Sequence, residues 1–178
     1  MRPTLVCLWF IAASPALALE PDTACPVPPP APLADLPLVT QEVLDELVGW
    51  IALHTVYDVS ATYRDPPLVT FCDIGETVRY EGSDLLIDET LRAAYDASDR
   101  HIHIVLPWRA EDTFDRSVLL HELIHDVQLL NRDWDCIGAP EWEAYKLQDR
   151  WLREHGIAHD FDWLVIYMLS RCPKDIHP

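Results

Sequence analysis

The stretch His121-Glu122-Leu123-Ile124-His125 constrains this chain more than any other. It lies within the apolar run from Ser117 to Leu130, where a helix is expected. Residues four apart on a helix stand one above the other on one face, so His121 and His125 present two imidazoles to a single point. Glu122 sits one step round the helix. There it can reach a metal-bound water without being needed as a ligand. Two histidines that hold a metal, with a glutamate as general base, are the chemistry this spacing serves.

Catalytic zinc takes three protein ligands and keeps a fourth position for water. An H-E-x-x-H-x-x-G-x-x-H extension would supply a third histidine, but here those two positions hold Gln128 and Asn131. The metzincin class is thereby excluded. Past a short loop, Glu141 and Glu143 both qualify as the third ligand. They stand about 200° apart round a helix, so only one of them faces the metal. Glu141 shares its face with Ala144, Tyr145 and Gln148, and the small Ala144 permits close approach to the motif helix. Glu143 shares its face with Leu147, Arg150 and Trp151, and remains the alternative. Tyr145 is expected to be a donor beside the ligands or an oxyanion partner. Gln128, on the face of His121, either orients a ligand or is an ordinary polar residue near the helix end. Asp126, next to His125, can hydrogen-bond outward, and no role is assigned to it.

Glu141-x-x-Ala144-Tyr145 resembles the E-x-x-A-D or E-x-x-A-N signature of gluzincin-like zinc metallopeptidases, with a tyrosine in place of the acid. In those families the first Glu binds zinc and the last position supports a ligand histidine. The chain also resembles a family of small exported bacterial H-E-x-x-H proteins of unassigned function. That pattern has a strand ending in Leu-Pro, here Leu106-Pro107, then the motif extended to Gln128. A Cys follows, here Cys136, and then an E-x-x-A-Y-x-x-Q helix from Glu141 to Gln148. The likeness covers roughly residues 100–155. It implies Glu141 rather than Glu143 as third ligand, and it brings no substrate with it.

Arg2, the apolar run Leu5 to Ala13 and Ala16-Leu17-Ala18 form a secretory signal, with cleavage expected after Ala18. The apolar run is too short to anchor in a membrane. Export to the periplasm or medium follows, with no membrane span in the mature chain. Four cysteines then remain, Cys25, Cys72, Cys136 and Cys172, and two disulfides are expected with the pairing open. The formal charge of −17 becomes −18 without Arg2. That balance disfavours nucleic acid and anionic lipid and tolerates a bound cation. Residues 19–38 form a Pro-rich lead, an extended tether or strap.

From Thr40, a capping residue, helical spacing runs through Leu44, Leu47, Val48 and Ile51 to about Val56. Leu68 to Cys72 reads as a strand, Glu76 to Tyr80 as a second, and Leu85 to Asp88 as a third apolar patch. Leu91 to Tyr95 and His101 to Leu106 suggest a hairpin across Asp96 to Arg100. His101 and His103 share one strand face, expected to be solvated. Asp112 or Thr113 caps the motif helix, which runs to Leu130. Helices are expected over Glu141 to Glu154 and Phe161 to Arg171. His54 reads as a surface or packed residue, and His155, His159 and His177 as surface residues. Trp134, Trp142, Trp151 and Trp163 read as core or cleft wall.

The expected fold is α+β and zincin-like: an N-terminal helix, a small mostly antiparallel sheet, the motif helix and two further helices, all in one domain over residues 39–178. The expected function is an exported zinc-dependent hydrolase, a peptidase acting on a peptide or protein, with Glu122 as base and a zinc-bound water as nucleophile. The alternative is a non-catalytic exported metal-binding or partner-binding module on the same fold. A purely structural zinc domain is disfavoured, because it has no need of Glu122.

Overall fold

The computed structural model describes residues 39–172, which belong to one compact unit, Leu36–Pro178. The expected signal segment and Pro-rich lead, together with Cys25 and His177, lie outside the described residues. The architecture is mixed α+β.

Thr40 accepts the Val43 N–H and starts α1, Gln41–His54, whose Leu44, Leu47, Val48, Trp50 and Ile51 face the core. Helix α2, Ser60–Arg64, is a single short turn that apolar periodicity does not reveal. Asp112 accepts the Asp115 N–H and caps α3, Thr113–Asn131. Pro140 stands at the start of α4, Glu141–Glu154, where its missing N–H costs nothing. Asp162 caps the last helix. That helix, α5, spans Trp163–Leu169 and is shorter than its apolar run suggested.

Helix α3 lies at the centre. Every residue from Ser117 to Gln128 is buried, polar ones included. Helices α1, α2 and α4 and strand β4 (Ala93–Asp96) all contact it. The core therefore joins Leu119, Leu120, Leu123, Ile124 and Val127 of α3 to Leu47 and Ile51 of α1, and to Ala144, Leu147 and Leu152 of α4. Each fully buried aliphatic side chain contributes about 1.5–3 kcal/mol. Across the bundle the Trp50 indole N–H donates to Glu154 Oε2 at 2.8 Å, and the His54 ring stacks on Trp50, tying α1 to the far end of α4.

The sheet departs from expectation. Strands β1 (Leu68–Cys72) and β5 (His101–Val105) pair in parallel, and β4 pairs antiparallel with β5, giving the order β1-β5-β4. Strands β2 (Thr77–Tyr80) and β3 (Ser83–Leu86) form a separate antiparallel hairpin through Gly82, whose φ of 77° suits glycine. The expected sheet was mostly antiparallel, and two of the three strand pairs are; the departure is that β2 and β3 pair only with each other while β1 enters parallel beside β5. Ile102 and Ile104 point into the helical core. The opposite sheet face is covered too: Cys72, Val105 and Ile87 form a second cluster with Val78, Leu85 and Leu91.

That cover corrects the reading of His101 and His103 as solvated. His103 is buried, its Nδ1 lies 3.3 Å from the Thr70 hydroxyl, and its Nε2 has no hydrogen-bond partner among the described residues. Burial, then the neighbouring His101, lowers its pKa. Among the described residues one disulfide forms, Cys136–Cys172. Cys72 is a buried free thiol donating to the Ile104 carbonyl, so the expected second bridge does not form through it. Burial raises the pKa of that thiol, which keeps it protonated and inert.

Candidate metal centre

On α3, one turn brings His121 and His125 to the same place, with Nε2 atoms 3.0 Å apart. Which protons they carry follows from their neighbours. Gln128 Nε2 donates to Pro140 O and Glu143 Oε2, which can only accept. Its amide oxygen therefore faces His125, 3.0 Å from Nδ1, and that nitrogen must carry the proton. On the other ring, the Ser117 hydroxyl donates to Phe114 O and so accepts from Gln148 Nε2. The Gln148 oxygen then faces His121 Nδ1 at 3.1 Å. Both histidines are thus held with the proton on Nδ1 and a bare lone pair on Nε2.

Glu141, the first residue of α4, closes the triangle. Its Oε2 lies 3.2 Å from His121 Nε2 and its Oε1 lies 3.4 Å from His125 Nε2. Ala144, fully buried one turn on, lets α4 come this close to α3. Two lone pairs and a carboxylate converge, and a cation is what satisfies them. Bonds of about 2.1 Å in a tetrahedral site separate donors by roughly 3.4 Å, close to the spacing found. His121, His125 and Glu141 form a group able to hold a metal ion. Burial raises the Glu141 pKa, but its bonds to the two histidines outweigh this and hold the carboxyl well below the usual range. For His125, burial lowers the pKa and the bonds to Glu141 raise it further, so the net shift is upward.

Glu143 lies apart from the metal group. It accepts from Gln128 and from the Tyr57 hydroxyl at 2.6 Å, and so braces the residue that orients His125. Burial and then Glu143 push the Tyr57 phenol up to about 12.

Glu122 is buried beside the two histidines and lines the cleft. Burial raises its pKa, against the lowering by His121 and His125. The backbone N–H of Tyr95 also stabilises its carboxylate. That N–H is available because β4 is an edge strand. Arg92 O accepts from Val105 N, so the peptide groups of Ala93 and Tyr95 point away from β5.

Asp126, to which the sequence assigned no role, points inward. It is fully buried and accepts from Arg100 Nε at 2.8 Å, Arg100 Nη2 at 3.0 Å, the Tyr95 hydroxyl at 2.9 Å and the Thr62 hydroxyl at 2.7 Å. Arg100 also donates to Asp65, from Nη1 to its carboxylate and from Nη2 to its carbonyl. One carboxylate next to the metal group thereby fixes β4, the β4–β5 turn and α2 around α3.

The metal group opens on a cleft of about 840 Å³. One wall is Tyr80 and Glu81 of the β2–β3 hairpin and the edge of β4. The other is the loop from Arg132 to Pro140 with Ile166 and Leu169 of α5. Tyr145 packs edge-on to His121 with centroids 4.4 Å apart, and its hydroxyl makes no hydrogen bond among the described residues. Burial, then Glu141 and Glu122, raises its pKa. Tyr80, not singled out from the sequence, is pushed up to about 12 by burial, then Glu81, then Glu122. Trp134 lies in the cleft wall beneath the Arg132 guanidinium, and Trp142 packs on Trp163 and Tyr167 of α5. His155 is exposed on Trp151, and His159 is exposed near Phe114.

Residues 37–178 match the family model described as a domain of unknown function, DUF6647. The chain belongs to that family. No curated protein and no solved structure matches it. Within the DUF6647 chain, Tyr80 is a cleft residue that motif reading passed over, whereas Gln148 was placed on the face of Glu141 and only its role, orienting His121, was missed. Gln148 had a signal, since it lies seven residues after Glu141 and so on the same helix face. Tyr80 had none, because only the hairpin's docking brings it to the metal group.

Proposed function

We propose that this protein is an exported zinc-dependent hydrolase of zincin-like, gluzincin-type architecture, acting as a peptidase. The observation that carries the reading is the pair of bare Nε2 lone pairs facing each other and Glu141, an arrangement that needs a cation. Three ligands of N, N and O type suit zinc and leave a coordination position for solvent on the cleft side. When bound, the ion acts as a Lewis acid that acidifies water and polarises a carbonyl.

The protein's own groups do the rest. Glu122, with a pKa raised by burial, is the base that takes a proton from water and returns it to the leaving amine. Gln128 and Gln148 fix the tautomers of His125 and His121. Tyr145 lies within the cleft beside His121 and donates to the oxygen on which charge develops. The outward N–H and C=O of Ala93 and the outward C=O of Tyr95 let an extended chain add to β4, which favours a polypeptide substrate. The Cys136–Cys172 bridge suits an oxidising compartment, the destination expected of the leader.

The test is zinc content together with cleavage of a mixed peptide library by wild type and Glu122→Gln. One zinc per chain is expected in both, and cleavage only in wild type. Stoichiometric zinc with no Glu122-dependent turnover would instead establish a non-catalytic metal module.

A further inference from the structure

The two cleft walls differ in chemistry. The β4 side offers backbone, the Tyr80 phenol and the Glu81 carboxylate. The opposite side carries an aliphatic patch, Leu129 of α3, Ile137 of the loop, and Ile166 and Leu169 of α5, with the charged Arg132 and Asp133 on the same loop. Ile137 is 72% exposed and Leu169 67% exposed, so this apolar surface is presented to solvent. An open aliphatic wall beside a polar centre is a recognition surface.

It is also built to stay in place. Cys136, next to Ile137, is bridged to Cys172, three residues beyond the end of α5, with Cα atoms 5.6 Å apart. Gly138 presses against α5 so closely that a Cβ there would lie 2.2 Å from Leu169 O. The loop and the helix end are therefore locked together on both sides of Ile137. A covalent bond and a close backbone contact hold aliphatic side chains at the mouth of the metal cleft.

We propose that this wall is a specificity subsite that takes a large apolar side chain, aliphatic or aromatic, of a polypeptide lying along β4. The chemistry at the neighbouring bond rests on the hydrolase reading above, whereas the selectivity is a property of binding. It disfavours substrates that place a charged side chain directly against Ile137 and Leu169, because that aliphatic patch removes hydration and itself offers no counter-charge.

The experiment separates the two statements. Full-length mature protein carrying Glu122→Ala is titrated with fluorescein-labelled Gly/Ser peptides that differ at one central position, Leu, Phe, Asp or Lys, and binding is read by anisotropy. The Leu and Phe peptides are expected to bind roughly tenfold tighter or more than the Asp and Lys peptides, the scale set by burying one such side chain. Adding Ile137→Ser and Leu169→Ser should bring the four peptides to near parity with zinc content unchanged. Both substitutions are at exposed positions, and circular dichroism with the zinc assay checks the fold. Equal binding of all four peptides, no binding of any, or a preference that survives the serine variants would each overturn the subsite. So would a dimer by sedimentation that dissociates in the serine variants, since the wall would then be a subunit contact. If the Leu and Phe preference is found but no Glu122-dependent cleavage is, the hydrolase reading fails and the subsite stands.

Discussion

Replacing Gln148 by leucine tests how the histidines are held. Gln148 is buried, accepts from His121 Nδ1 at 3.1 Å and donates to Ser117 at 3.2 Å. Leucine has a similar volume and fills the same space, so packing changes little, but the Nδ1–H is left buried without an acceptor. An unsatisfied buried donor costs about 1–3 kcal/mol. His121 relieves it by moving its proton to Nε2 or by turning the ring, and either removes the lone pair aimed at Glu141. Loss of such an orienting partner weakens metal affinity by roughly 10–100-fold, or about 1.4–2.7 kcal/mol. The assay is competition for zinc against a fluorescent chelator at fixed pH, with a urea denaturation curve alongside. Gln148→Glu is the counterpart: the acceptor is kept, the Ser117 hydroxyl turns to donate to it, and the carboxylate makes His121 a stronger ligand. The expected order of affinity is Gln148→Glu at or above wild type, then Gln148→Leu. An unchanged zinc dissociation constant for Gln148→Leu would refute the tautomer assignment and with it the convergence of lone pairs.

Four further outcomes follow from the contacts described. Asp126→Ala strips Arg100 and Tyr95 of a fully buried partner and should destabilise the fold by about 3–5 kcal/mol in urea denaturation, whereas a loss under about 1 kcal/mol would mean the knot around Asp126 is not structural. Glu141→Ala should abolish zinc binding while Glu143→Ala retains it and lowers stability through the lost Tyr57 and Gln128 bonds, and the opposite pattern by metal analysis would overturn the ligand set. Zinc affinity should rise with pH and level off above the raised pKa of His125, because proton and metal compete for the same lone pair. Without metal, the depressed Glu141 pKa stabilises the fold above the unfolded value of about 4.3, and the raised His125 pKa stabilises it until pH passes that folded value. The apoprotein is therefore most stable between those limits, and a stability maximum at alkaline pH would contradict the linkage.

What could be read from the sequence was local. Thr40 and Asp112 as caps, Pro140 at the helix start and the i, i+4 histidines rest on contacts within a turn or two. The placement of Glu141 against the histidines was legible because a helix start and a small Ala144 constrain it. The parallel pairing of β1 with β5 was not, since it depends on β2 and β3 pairing with each other. The role of Asp126 was not legible because its partners Thr62, Tyr95 and Arg100 come from three separate segments. His103 alternates with Ile102 as a surface residue would, and only the hairpin across that sheet face buries it. The second disulfide was inferred from a count of cysteines, and a count carries no distances.

Because α3 is buried on every side from Ser117 to Gln128, it has no solvent-facing stripe on which sequence can drift. In most surface helices, substitutions are absorbed at every third or fourth position. Here a saturation scan should show an unbroken block of intolerance across the segment, with no helical period. Some positions in it would fail by losing the metal and others by losing the fold. Within this segment, depletion in a growth-based selection would not separate ligands from packing residues, and the two are distinguished only by assaying metal content and stability on the same variants.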